Sequence, residues 1–239
     1  METVTINSFN HLLEHITDNY NCGHHVYRGV TNENHLLVPS IGRGVYTWED
    51  ELEIIEQFKR RSLPSLNITP QNDWDWLAIA QHYGLPTRLL DWTLSPLVAA
   101  YFATKPKILN NKLEPFKDHN SAIYVLHFCN YINVTEDTDP FIYDKVGVIY
   151  PPHISPRISG QMGVFTTQPT PNKELNFEKD DRLPTDIIKL VINPETANEI
   201  QKNLFILGIR EDMLFPDLDG YARSITYRKI MGEFHYREC

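Results

Sequence analysis

The stretch QHYGLPTRLLDWTLSPLVAAYFA, residues 81–103, decides how this chain folds. Its first thirteen positions set His82, Arg88 and Asp91 among large apolar side chains, so charge interrupts what otherwise reads as core. Helix boundaries account for the interruption. NDWDWLAIAQHYG (72–84) reads as a helix capped by Asn72 or Asp73 and stopped by Gly84, with Pro86 just beyond. Ser95 and Pro96 supply a cap and a first-turn proline for LVAAYFATK (97–105), where Leu97, Ala100 and Tyr101 recur at helical spacing. LPTRLLDWT is left as a short connection, extended in character, clamped between two helices.

Upstream, NSFNHLLEHITDNY (6–19) carries Phe9, Leu12, Leu13 and Ile16 on one stripe after Ser8, and HVYRGV (25–30) reads as a strand. TWEDELEIIEQFKRRS (47–62) predicts a helix with Thr47 as cap and Glu49, Asp50 and Glu51 in the first turn, where the helix dipole favours acids. Downstream the texture turns β-branched and aromatic: 121–129, 141–150, 161–168 and 186–193 predict strands. Residues 194–208 and 220–230 return to helix, and NNKLEPFKDHNS (110–121) reads as a loop. Helices first and strands later imply an α+β fold, helix-rich in its N-terminal half. No linker divides the chain, so a single domain over 1–239 is expected.

A hydrophobic share of 41% and a formal charge of −9 with no block of like charges describe an ordinary globular protein and argue against non-specific nucleic-acid binding. A local arginine group (Arg28, Arg43, Arg88, Arg157) keeps a guided strand open as a partner. Three cysteines far apart (Cys22, Cys129, Cys239) suit a reducing cytoplasm. The opening METVTINSFNHLLEHI is no charged-then-apolar leader and no 18-residue apolar run occurs, so a cytoplasmic protein with no membrane association is expected.

The polar residues have a bland reading and a sharp one each. Arg28 either snorkels to water or clamps an anion beside Gly29, where a ligand can approach the backbone. Arg88 and Asp91 either pair with each other across the connection or bind phosphate and a substrate hydroxyl, with His82 adding donors from the helix end. Gln161 either satisfies a backbone group or holds a ribose hydroxyl. The ten histidines are scattered without ligand spacing, so no metal is expected. Neither a G-x-S-x-G elbow nor a phosphate-binding G-x-x-x-x-G-K loop is present.

YRG (27–29), LLVPSIGR (36–43), QHYGLPTRLLDWTLSPLVAAYFA (81–103) and RISGQMGVF (157–165) together resemble the FRG domain, a bacterial and phage-associated family named for a Phe/Tyr-Arg-Gly motif, and the resemblance implies a domain core of about 20–220. The order of these pieces is also similar to ADP-ribosyltransferases, which cleave NAD and transfer ADP-ribose. In those enzymes a first core strand carries Arg-Gly, as Tyr27-Arg28-Gly29 does. A second strand bears a Ser-Thr-Ser type motif before a helix, which Asp91 and Thr93 approach in position. A later strand carries a glutamate on the nicotinamide ribose, where this chain has Gln161.

The resemblance implies a split mixed or antiparallel sheet flanked by helices. It also implies an NAD-dependent ADP-ribosyltransferase-like toxin or phage-defence effector, with NAD as substrate and a nucleic acid or protein as acceptor. An antitoxin or regulatory protein would be a natural partner. Arg28, His82, Asp91 and Gln161 become the catalytic candidates, and Tyr27, Arg28, Gly29, Arg88 and Thr93 the NAD-binding ones, with Trp92 or Tyr83 stacking on a ring. The amide at Gln161 offers no full charge to an oxocarbenium-like transition state. It therefore keeps a second reading open, a non-catalytic nucleotide-binding sensor. A scaffold or antitoxin-like partner, whose polar set is only a buried network, is the third.

Overall fold

The computed structural model describes residues 1–66, 69–105, 107–109, 112–114, 118–128, 138–151, 156–175 and 187–230. The chain opens with β1 (Glu2–Ile6), α1 (Phe9–Asn19) and β2 (His25–Val30). Then come α2 (Trp48–Ser62), α3 (Asp73–His82), β3 (Leu90–Thr93) and α4 (Pro96–Thr104). The caps are those the sequence offers. Ser8, Asn72 and Ser95 accept from the backbone N–H of His11, Asp75 and Val98 at 3.0, 3.0 and 3.3 Å, each satisfying a donor the helix cannot.

A short hairpin follows, β4 (Lys107–Leu109) with β5 (Lys112–Glu114), its second strand inside the stretch 110–121 expected to be loop; residues 110, 111 and 115–117 of that stretch lie outside the described ones. The remaining elements are β6 (Ser121–His127), β7 (Gly147–Ile149), α5 (Pro156–Gly160), β8 (Gly163–Thr167) and β9 (Ile187–Ile192). Last come α6 (Pro194–Ile206), capped by Asn193, α7 (Glu211–Leu214) and α8 (Leu218–Ile230). Cys129 and Cys239 fall outside the described residues.

The α+β class therefore holds: a seven-stranded mixed sheet of order β1-β9-β6-β2-β3-β8-β7 is flanked by helices. Only β1 and β9 run parallel; the other neighbours are antiparallel. The seam between β2 and β3 is narrow. A single registered pair, Tyr27↔Thr93, joins them, whereas β2 and β6 are matched over six. The sheet is thus two half-sheets hinged at one pair.

One face of this sheet is a continuous core in which Val26, Leu37, Leu90, Trp92, Tyr124 and Val164 pack across the seam. The other face is divided. Over the first half-sheet α1, α4 and α6 bury Leu12, Ala99 and Ile200 against Tyr27 and Ile123. Over the second, α2 and α3 bury Ile55 and Leu77 against Leu89, Ile149 and Phe165. Fully burying a side chain of this size contributes about 1.5–3 kcal/mol.

Two strand expectations change. Of 141–150 only Gly147–Ile149 is strand, because Phe141 turns away to cover the Arg88 guanidinium, 4.9 Å from its ring centre, and Tyr143 packs edge-on against Trp74. Of 161–168 the strand begins at Gly163. Arg157–Gly160 are helical, and Gln161 and Met162 form the turn between, Met162 with φ of 48°.

Candidate functional site

Where the two cores part, a cleft of about 180 Å³ is lined by Gln81, His82, Asp91, Arg157, Gln161 and Phe215. Three of these are the sequence's own candidates. His82 and Gln81 project from the last turn of α3, Asp91 from β3, Arg157 from α5 and Gln161 from the turn before β8.

Asp91 is the exposed carboxylate of the group, its side chain 62% accessible. Its orientation is set by a chain of side chains. Thr87 Oγ1 donates to Gln81 Oε1, and Gln81 Nε2 donates to Asp91 Oδ1 at 2.5 Å. An amide whose oxygen is engaged must present its N–H to the next acceptor, so Gln81 fixes which way Asp91 faces. Sequence reasoning passed over Gln81. Its signal was there: Ala78, Gln81 and His82 lie three and four apart on one helical face.

Arg28 reaches the site from across the seam. Its Nη1 donates to the Asp91 backbone carbonyl at 2.6 Å and lies 3.6 Å from the carboxylate. Because β2 and β3 diverge after Tyr27↔Thr93, that carbonyl has no strand partner on β2, and the guanidinium satisfies it instead. Burial draws the Arg28 guanidinium down from the ordinary arginine range while Asp91 opposes the change; it stays charged. Its Nε has no hydrogen-bond partner among the described residues. Arg43, exposed at the end of the short Ser40–Arg43 turn of helix, adds a second positive charge near it.

His82 is half-buried; burial and the Arg157 charge hold its imidazole below the usual range, with Asp217 opposing. Arg157 Nε pairs with the Asp217 carboxylate, which that hydrogen bond, together with one from the Gly220 backbone, pulls down to about 2. Gln161 Nε2 donates to the Leu214 carbonyl at 3.1 Å, and the Gln161 backbone carbonyl accepts from Thr93 Oγ1 at 2.6 Å. Thr93 also accepts from Ser95 N–H at 3.0 Å, so it ties the end of β3 to the cleft turn and to the α4 cap.

Four candidates, Arg88, Gly29, Tyr27 and Tyr83, stand elsewhere. Arg88 is not in the cleft: 2% accessible, it pairs through Nε with Glu51 Oε2 at 2.7 Å and donates through Nη1 to the Pro140 carbonyl at 2.7 Å. Its partner is Glu51 of the α2 first turn and not Asp91, which takes Arg88 out of the four-arginine group. Gly29 faces α4, where an added Cβ would lie 1.9 Å from the Ala99 carbonyl oxygen. The glycine makes room for a helix, not for a ligand. Tyr27 is core; burial, with Tyr20 and Cys22 adding to it, pushes its phenol up to about 12. Tyr83 is exposed, and Trp92, which borders the cleft, is buried with its N–H on Thr166 Oγ1 at 2.9 Å.

A larger cavity, of about 580 Å³, lies among α4, α6 and α8. Its buried Glu211 accepts from Tyr101, Lys105 and Arg223. The ring of Phe215 stands between the two spaces, with Arg157 on it at 5.5 Å and Lys105 and Arg223 at 5.0 and 5.3 Å. No sequence-derived candidate lines this second cavity.

Metal-ligating side chains also meet where their spacing gave no sign of it. Cys22, His25 and His127 bring their ligand atoms within 4.8 Å of one another. His127 comes from β6, which pairs it with His25 across the sheet.

No curated protein and no solved structure matches the chain. One family model does, over a segment that holds β2, β3 and α4 with the Tyr27-Arg28-Gly29 and 81–103 motifs, and that ends before Arg157 and Gln161. Over residues 23–112 the chain matches the family model of the FRG domain.

Proposed function

We propose that the protein is an NAD-dependent ADP-ribosyltransferase of toxin or phage-defence type, acting on a nucleic-acid or protein acceptor. The observation that carries the reading is the adjacency of β2, β3 and β8 in the sheet. These three strands are the ones that the resemblance to ADP-ribosyltransferases singles out; Asp91 and Gln161 line one cleft, and Arg28 bonds Asp91 from β2. Splaying of β2 from β3 opens the face between the two cores, as a split sheet would.

In this reading Arg28 and Arg43 hold the pyrophosphate, the part that Arg88 cannot take because it is sealed on Glu51. The cleft of about 180 Å³ receives the nicotinamide ribose end alone, since the whole dinucleotide needs the open surface toward Arg43. Asp91 supplies the negative charge that develops value as the ribosyl carbon becomes cationic, and Gln81 keeps it aimed. Gln161 orients the ribose through its amide, and the neutral His82 accepts or returns a proton at the acceptor. The bond from ribose C1′ to the nicotinamide nitrogen breaks, its electron pair leaves with nicotinamide, and the acceptor's lone pair forms the new bond.

The test is release of labelled nicotinamide from NAD, with and without cell extract. The reading expects release by the wild type and a loss of about a hundredfold or more in Asp91→Asn. Because Gln161 stands where those enzymes carry a glutamate, a nucleotide-binding sensor is the second reading. NAD binding that Arg28→Ala abolishes, with no nicotinamide released under either condition, would replace the enzyme with the sensor.

A further inference from the structure

At the end of β2 away from Asp91, three ligating side chains gather on the sheet face that carries Tyr27. Cys22 Sγ lies 3.4 Å from His25 Nδ1. His25 and His127 are directly opposed across β2 and β6, their ring centres 4.8 Å apart. The chain is bent to achieve this. Gly23 takes φ of 73° with no atom within 4 Å of an added Cβ, so the turn exists for its backbone direction, and it folds Cys22 back over His25. His24 stacks on His127 at 6.5 Å, and its carbonyl accepts from Phe128 N–H at 3.0 Å, which pins the turn to the end of β6.

We infer that Cys22, His25 and His127 form a binding site for one late divalent transition ion of the zinc type. The donor set is one sulfur and two imidazole nitrogens, which suits zinc, cobalt or nickel and not the oxygen-seeking magnesium or calcium. Metal–ligand bonds of about 2.0–2.3 Å in a tetrahedron put donor atoms about 3.3–3.7 Å apart. The cysteine and His25 already stand at that separation, and the remaining spread closes by side-chain rotation, with the two strands fixed. On binding, the S–H bond of Cys22 breaks, its proton passes to solvent and the sulfur lone pair forms the bond to the metal. Three protein ligands leave a fourth position open. Cys22 is exposed, so the ion has a path in and the fourth ligand can be water or an exchangeable donor. The site pins the α1–β2 turn to two strands of the first half-sheet.

The experiment is a cobalt(II) titration of the chelator-treated full chain, followed by absorption. The expected result is binding of one equivalent with a thiolate-to-cobalt charge-transfer band and tetrahedral visible bands, displaced by zinc(II). Cys22→Ser should abolish the charge-transfer band, and His127→Ala should weaken binding at least about tenfold. Cys129→Ser and Cys239→Ser should keep the full spectrum, and circular dichroism checks that every variant folds. A spectrum without the thiolate band overturns the site, as does a band that survives Cys22→Ser or a cobalt affinity unchanged in His127→Ala.

Discussion

The guanidinium of Arg28 donates to the backbone carbonyl of Asp91 across the one place where β2 and β3 cease to pair. A side chain thus does the work of a missing strand hydrogen bond. Arg28→Met keeps the aliphatic stem and strands that carbonyl, so it should destabilise the fold by about 1–3 kcal/mol. Arg28→Lys should recover part of the loss. Urea unfolding of the three proteins measures both.

Arg88 and Glu51, at 2% and 0% accessibility, are a pair out of water. Removing one partner leaves a buried charge, so Glu51→Ala should cost about 3–5 kcal/mol. Glu51→Leu combined with Arg88→Met should cost less than the sum of the two single changes, because the second removes the charge the first exposes. A double-mutant cycle in urea checks the sign of that coupling.

Gly29→Ala places a methyl against the Ala99 carbonyl and the Ala103 N–H of α4, both backbone atoms. The helix must lift from β2, at about 1–3 kcal/mol. Differential scanning calorimetry should show a lowered Tm, while Gly44→Ala, with only ordinary contacts around it, should leave Tm little changed by comparison.

His82 is held below its ordinary 6.5 by burial and by Arg157. The folded protein therefore binds fewer protons than the unfolded chain as pH falls below 6.5. This residue's contribution to stability is lost from that point down to its folded midpoint. An NMR titration should find the His82 midpoint below 6.5, and Arg157→Gln should move it upward.

The helices were legible because their signals are local: Ser8, Asn72, Ser95 and Asn193 cap where they stand in the sequence. What could not be read was choice of partner. Arg88 sits three residues from Asp91 and pairs with Glu51, whose first-turn position explained its charge without need of an arginine. Gly29 announced close approach but not by what. His127 lies over a hundred residues from Cys22, so no spacing could join them. Asp91, His82 and Gln161 came to one cleft as a set, and the Gln81 that steers Asp91 was the first letter of the deciding stretch. β1 went unpredicted because five residues with mixed burial become a strand only through β9.

That last pairing bears on how the molecule is made. Residues 2–6 are synthesised some 180 positions before their strand partner, residues 187–192. Until then β1 lacks the neighbour that makes it a strand, and long-range closure of this kind is slow. β1 precedes the other described strands yet pairs with the last of them, so nascent chains cut short before β9 should display an unpaired edge for chaperones to hold.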